Sequence, residues 1–281
     1  MSYNTIISAE QLANHLDNPD WIVFDCRFSL ADSEAGGKAY RLGHIANARY
    51  VHLDKDLSSA ISDYSGRHPL PDFSLLAKKL GHWGVKHSSQ VVVYDDAGGA
   101  FAGRMWWLLR CMGHDRVALL DGGLPQWRRE GHSLTTALPK IRKTHFRAYL
   151  DSKQWLSARQ VEDGLATRSI TLIDARPPER FRGEQEPIDP IAGHVPKALN
   201  RPFQQNLNKQ GCFLPADRLK QQFLELLAKR DDRQVVHMCG SGVTACHNLL
   251  AMEIAGLPGS KLYAGSWSEW IRNKNRGIAK G

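Results

Sequence analysis

Short apolar runs rich in Val and Ile punctuate this chain: WIVFD (21–25), VVVYD (91–95), VALLD (117–121), ITLID (170–174) and VVHM (235–238). Between them lie helix-length amphipathic stretches such as DFSLLAKKLGHWG (72–84) and ADRLKQQFLELLAKR (216–230). In the second of these, apolar residues at 219, 223, 226 and 227 recur at helical spacing. Strands that read as continuous apolar runs are buried on both faces, as happens when helices connect parallel strands. The pattern therefore predicts an α/β fold, a small and mostly parallel sheet with helices on both faces.

The pattern also occurs twice. WIVFDCRFSL (21–30) answers to ITLIDARPPERF (170–181), each a buried strand ending in Asp with an Arg two residues on. GHIANARYVHLD (43–54) answers to GHVPKALNRPFQ (193–204), QVVVYDDAGGAFAGRMWWLL (90–109) to QVVHMCGSGVTACHNLLAME (234–253), and RVALLDGGLPQW (116–127) to SKLYAGSWSEW (260–270). Four segments in the same order at nearly constant offset indicate two homologous domains. They divide within the polar stretch 135–154, giving domains of residues 1–140 and 141–281.

Composition narrows the class. At 42% hydrophobic and 23% charged, the 281 residues suit a globular protein with a full core. No apolar run approaches a membrane span, and the N-terminus shows no basic start followed by an apolar stretch, so neither membrane nor secretion is expected. Five scattered cysteines make a poor disulfide framework and fit a reducing cytoplasm. Charge changes the picture more. Residues 1–140 hold 15 basic and 15 acidic side chains, whereas residues 141–281 hold 22 and 14, the whole of the net +8. Such a half is either a solvated basic face or a field that gathers small anions. Nucleic acid is not the expected partner, since no Lys/Arg block is interleaved with aromatics.

The second half also holds the strongest chemical signal, CGSGVTAC (239–246). Cys239 follows a strand and precedes a helix, the place where α/β folds bind ligands. Gly240 and Gly242 let successive backbone N–H groups turn inward, and the helix start adds its own free amides. A thiolate at the centre of that cradle is stabilised as a nucleophile. The matching residue of the first half is Asp95, which cannot do thiol chemistry, so residues 1–140 read as a non-catalytic partner of a catalytic 141–281.

The CGSGVTAC loop, the Asp-x-Arg segments, both Gly-His turns and the closing GSWSEW (265–270) resemble the rhodanese superfamily, in the form its mercaptopyruvate sulfurtransferases carry. The resemblance covers nearly the whole chain. It implies two tandem rhodanese-like domains and transfer of a sulfane sulfur from 3-mercaptopyruvate, or thiosulfate, through a Cys239 persulfide to cyanide or to a thiol such as thioredoxin. It implies no cofactor and no metal. Residue by residue, it places Arg180 on the anionic donor and Gly240, Gly242, Val243 and Thr244 in the binding loop. Ser241 would work with Asp54 and His68 as a proton relay. A second arginine expected after a Glu-Pro pair is Ile188 here. Asp174 and Arg176 read as framework, Trp267 and Trp270 as core or pocket wall, and Cys246 as a packed thiol. Three rivals remain. A cysteine phosphatase would need an Arg where Ala245 stands; a zinc site would need paired Cys/His spacing that is lacking; a binding module would not need an intact CGSGVT.

Overall fold

The computed structural model describes residues 2–227 and 234–281. The last three positions of the helix expected over 216–230 lie outside the described residues; the remainder forms the helix Ala216–Leu227, with Leu219, Phe223 and Leu227 turned inward.

The chain forms two compact units. One comprises Met1–Ser59, Leu70–Asp151 and Asn208–Phe213; the other comprises Ala60–Pro69, Ser152–Leu207 and Leu214–Gly281. Segment 60–69 therefore belongs to the second unit although it precedes most of the first in the chain.

The first unit is a five-stranded sheet of β1 (Ile6–Ile7), β2 (Trp21–Asp25), β3 (Ala48–Tyr50), β4 (Gln90–Tyr94) and β5 (Val117–Leu120), in the order β1-β5-β4-β2-β3. The second repeats it with β6 (Trp155–Leu156), β7 (Thr171–Asp174), β8 (Leu199–Asn200), β9 (Val235–Met238) and β10 (Lys261–Tyr263), in the order β6-β10-β9-β7-β8. All the named strand pairs are parallel, and the central strands β2, β4, β7 and β9 are buried at every residue. Helices surround each sheet, as the apolar runs predict. The cores correspond as well. Val23, Val92, Tyr94 and Trp127 pack in the first unit, and Leu172, Val236, Met238 and Trp270 in the second. Trp267 and Trp270 are both core residues.

Each unit is braced at the carboxyl end of its central strand by one buried ion pair. Arg27 Nη2 donates to Asp25 Oδ2 at 2.6 Å and to the Gly43 carbonyl at 2.8 Å. Arg176 Nη2 donates to Asp174 Oδ2 at 2.7 Å and to the Gly193 carbonyl at 2.8 Å. The two Gly-His turns are thereby fixed, and their histidines stack on Tyr40 and Phe181 at 3.9 and 3.8 Å.

Two other histidines are buried where they cannot readily charge. Burial, with His87 nearby, pushes His114 down to about 4. Burial, with Arg201 nearby, pushes His237 down to about 3. The unfolded chain protonates both near the ordinary value of about 6.5, while the native protein does not. Stability is therefore expected to fall as the pH drops below about 6.5, by about 1.4 kcal/mol per pH unit for each histidine until its native value is reached. Urea unfolding between about pH 6.5 and 4.5 measures this slope, and His237→Phe should make it shallower.

Candidate active site

Cys239 leaves β9 at the carboxyl edge of the second sheet and is buried. Its Sγ accepts the N–H of Gly242 at 3.1 Å and that of Ser241 at 3.5 Å. The turn that aims these amides requires Gly242: its φ is +77°, and a Cβ there would overlap the Ala264 carbonyl. Val243 and Thr244 complete the loop and lead into the helix Ala245–Ile254. Cys246 lies inside that helix, its Sγ donating to the Gly242 carbonyl at 3.4 Å.

The backbone beneath the thiol is held by the following crossover. The Cys239 carbonyl accepts from Trp267 N at 3.0 Å, and the Gly240 carbonyl from Ser268 N at 2.9 Å. The Cys239 N–H donates to Ser266 Oγ at 3.1 Å, and that hydroxyl donates to the Tyr263 carbonyl at 2.9 Å. Ser266 has a left-handed backbone, φ 54°, that serine seldom adopts; the matching Gly123 has φ 55°. Strain of this kind costs about 1 kcal/mol or more and persists where the site needs the side chain.

Segment 60–69 lies against this loop. A Cβ on Gly66 would overlap the Gly265 carbonyl, so two glycine backbones meet there, and the Arg67 N–H donates to Ser268 Oγ at 3.0 Å. The contact places buried His68 with Nδ1 2.7 Å from Ser241 Oγ, in a hydrogen bond. Asp54 lies in the helix Leu53–Asp56 of the first unit and is exposed, its N–H donating to His52 Nδ1 at 3.1 Å.

Charged groups alternate beside the loop. Arg176 reaches Glu186 at 3.4 Å, and Glu186 accepts from Arg180 Nη2 at 2.6 Å. Arg180 Nη2 also reaches Asp189 at 3.1 Å, and Asp189 accepts from Arg67 Nε at 3.0 Å and Nη2 at 3.1 Å. Burial would raise Glu186, but the Arg180 hydrogen bond and nearby backbone donors win and hold it below the usual carboxylate range. For Arg176, burial would lower the pKa, yet Asp174 and Glu186 outweigh it and raise it. Arg67, Glu186, Asp189 and Ser266 were not found by sequence reasoning. The only signal for Arg67 was its place next to His68.

The first unit holds a carboxylate in the equivalent cradle. Asp95 follows β4, its Oδ1 accepting from Ala97 N at 2.9 Å and Gly99 N at 2.8 Å. Its Oδ2 accepts from Phe101 N and Ala102 N, both at 2.8 Å. Elsewhere, burial with Asp25 alongside pushes the Cys26 thiol well up, which keeps it protonated. Among the described residues no group of three or more His, Cys, Asp or Glu is placed to hold a metal ion, and no helix is long and apolar enough to cross a membrane.

The family model for the rhodanese-like domain matches residues 8–130 and again 154–273. A Pseudomonas aeruginosa protein named "Probable 3-mercaptopyruvate sulfurtransferase" is 47% identical over 283 residues, covering 100% of both chains. The mouse (Mus musculus) thiosulfate sulfurtransferase is 30% identical, over 96% of this chain and 93% of its own. The crystal structure of SseA from Escherichia coli, from the 3-mercaptopyruvate enzymes, superposes with a TM-score of 0.82 at 29% identity, over 95% of this chain and 100% of its own. With the fold repeated, the Asp-Arg brace repeated and the family model matched twice, this chain belongs to the rhodanese family and consists of two tandem rhodanese-like domains.

Proposed function

We propose that the protein is a sulfurtransferase that carries sulfur on Cys239 and takes it preferentially from 3-mercaptopyruvate. The observation that carries this reading is the thiol at the carboxyl end of β9, cupped by the Ser241 and Gly242 amides beside the His68–Ser241 pair. The Pseudomonas aeruginosa and Escherichia coli relatives, named for 3-mercaptopyruvate, support it.

In the first half-reaction the Cys239 thiolate attacks the donor's sulfur, an S–S bond forms and the C–S bond breaks. The carbon fragment departs as pyruvate enolate, and its methylene carbon must gain a proton. The hydrogen-bonded His68–Ser241 pair is suited to deliver one. The backbone amides at Cys239 stabilise negative charge on sulfur before and after transfer. In the second half-reaction a thiol, such as that of a thioredoxin, or cyanide attacks the outer sulfur, the S–S bond breaks and the Cys239 thiolate returns. All five cysteines are thiols rather than disulfides, which suits a reducing, cytoplasmic setting for this chemistry.

Charge supports the donor preference. Thiosulfate is a dianion, yet the loop positions 240, 241 and 242 are all neutral. Beside them Arg67, Arg176 and Arg180 are matched by Asp174, Glu186 and Asp189. Such a site suits one carboxylate better than two charges. The first unit, with Asp95 in its cradle, has no nucleophile there and serves without chemistry of its own.

Mass spectrometry after donor treatment is expected to find one added sulfur on the peptide containing Cys239, and Cys239→Ser should abolish turnover. Side-by-side kinetics should give the higher kcat/KM with 3-mercaptopyruvate; a wide preference for thiosulfate would overturn the donor assignment. His68→Ala should slow persulfide formation at saturating donor, by about 10²-fold or more if the pair delivers the proton.

Asp95→Ala leaves four backbone N–H groups, two of them in buried residues, without their acceptor. It should lower stability by about 3 kcal/mol in urea unfolding, while the Cys239 persulfide still forms.

A further inference from the structure

The loop that holds Cys239 contains no cation of its own, so the donor's carboxylate must be met by side chains from elsewhere in the unit. The space over Gly240 shows where they come from. A Cβ built on Gly240 would lie 2.8 Å from Arg67 Nη2, 3.6 Å from Arg180 Nη2 and 3.7 Å from Arg180 Nη1, the three nearest atoms outside residues 239–241. Two guanidinium groups thus converge on the residue next to the nucleophile, in room that the missing side chain leaves.

Both are held from behind. Asp189 is buried and grips Arg67 through Nε and Nη2 while also accepting from Arg180 Nη2. Glu186 holds Arg180 through Nε and Nη2. Among the described residues, neither Nη1 has a hydrogen-bond partner, and both side chains keep some exposure, 22% for Arg67 and 12% for Arg180. Guanidinium groups fixed on one edge and open on the other, two to a site, match the planar geometry of a carboxylate. Ile188, by contrast, is 41% exposed, and its N–H donates to Glu186 Oε1 at 3.2 Å.

Resting on the sulfur-transfer reading of Cys239, we propose that Arg67, from segment 60–69, binds the donor's carboxylate together with Arg180, and that Asp189 is the residue that positions both. The second cation is supplied from residues 60–69 in place of position 188. Gly240 is then a specificity determinant: any side chain there displaces Arg67.

Two measurements on the full-length chain test this. In steady-state kinetics with 3-mercaptopyruvate, Arg67→Ala should raise KM about ten- to hundred-fold, by more than it lowers kcat. Arg67→Lys, which keeps the charge without the fork, should recover part of the loss, and Asp189→Asn should raise KM in the same direction. The grip itself is read without chemistry in the Cys239→Ser protein, by NMR titration with pyruvate, the carboxylate product. Adding Arg67→Ala should raise the pyruvate Kd at least ten-fold. A Kd changed by less than two-fold, or no pyruvate binding before Arg67 is replaced, overturns the proposal whether or not Cys239 forms a persulfide. A fall in kcat with KM unchanged also overturns it, since Arg67 would then only hold segment 60–69 in place. Absence of a Cys239 persulfide with normal, Arg67-dependent pyruvate binding would instead remove the sulfur-transfer reading and leave the carboxylate site standing.

Discussion

Burying a charge is costly unless a partner and hydrogen bonds surround it, and removing one partner of a buried pair destabilises by about 3–5 kcal/mol. The Asp174–Arg176 pair meets that condition by drawing on everything near it. Its arginine takes up the Gly193 carbonyl, stacks over Trp267 at 4.8 Å and reaches Glu186. The demand for satisfaction passes outward, from Glu186 to Arg180, then to Asp189 and Arg67. In the first unit the same pair is satisfied locally: the Tyr94 hydroxyl donates to Asp25 at 2.7 Å. Met238 stands at Tyr94's place in the second repeat and has no proton to give. One framework thus ends in a closed knot, and the other continues into the site.

The two cradles show how a single change of occupant separates the halves. A carboxylate has two oxygens and several lone pairs, so Asp95 draws four backbone amides and fixes its own turn. A sulfur at the same place draws two amides and stays available for attack. Support from below differs too. Gly123 adopts its left-handed turn without strain, while Ser266 adopts nearly the same φ and uses its hydroxyl to hold the Cys239 N–H. At this turn the strain falls in the half with the Cys239 thiol.

Much of this was legible in the sequence because it is local. The strands, the helices, the two Asp-x-Arg braces and the Cys239 loop each depend on residues within a few positions of one another, and repetition made each visible twice. Ser241 and His68 could be named only through family resemblance, since 173 residues separate them. Arg67, Asp189 and Glu186 left no periodic signal; they are charged residues in irregular segments, and their meaning comes from meeting at one point in space. Ser266 was hidden for another reason. Nothing in SWSEW reveals a positive φ at a serine, because that torsion is imposed by the β10 crossover and the Cys239 amide.

The membership of residues 60–69 in the second unit bears on how such a protein can be made and divided. Those ten residues leave the ribosome long before the strand that carries Cys239, and their contacts with the Cys239 loop can form only once the later half exists. Closing so long a loop costs entropy that only the finished contacts repay. A gene cut at the repeat boundary, or a second half copied on its own, would encode the thiol and its cradle without Arg67 or His68. The duplication that is so plain in the sequence is no longer a plan for separable parts, and recombination that respects the repeats would separate His68 from Ser241.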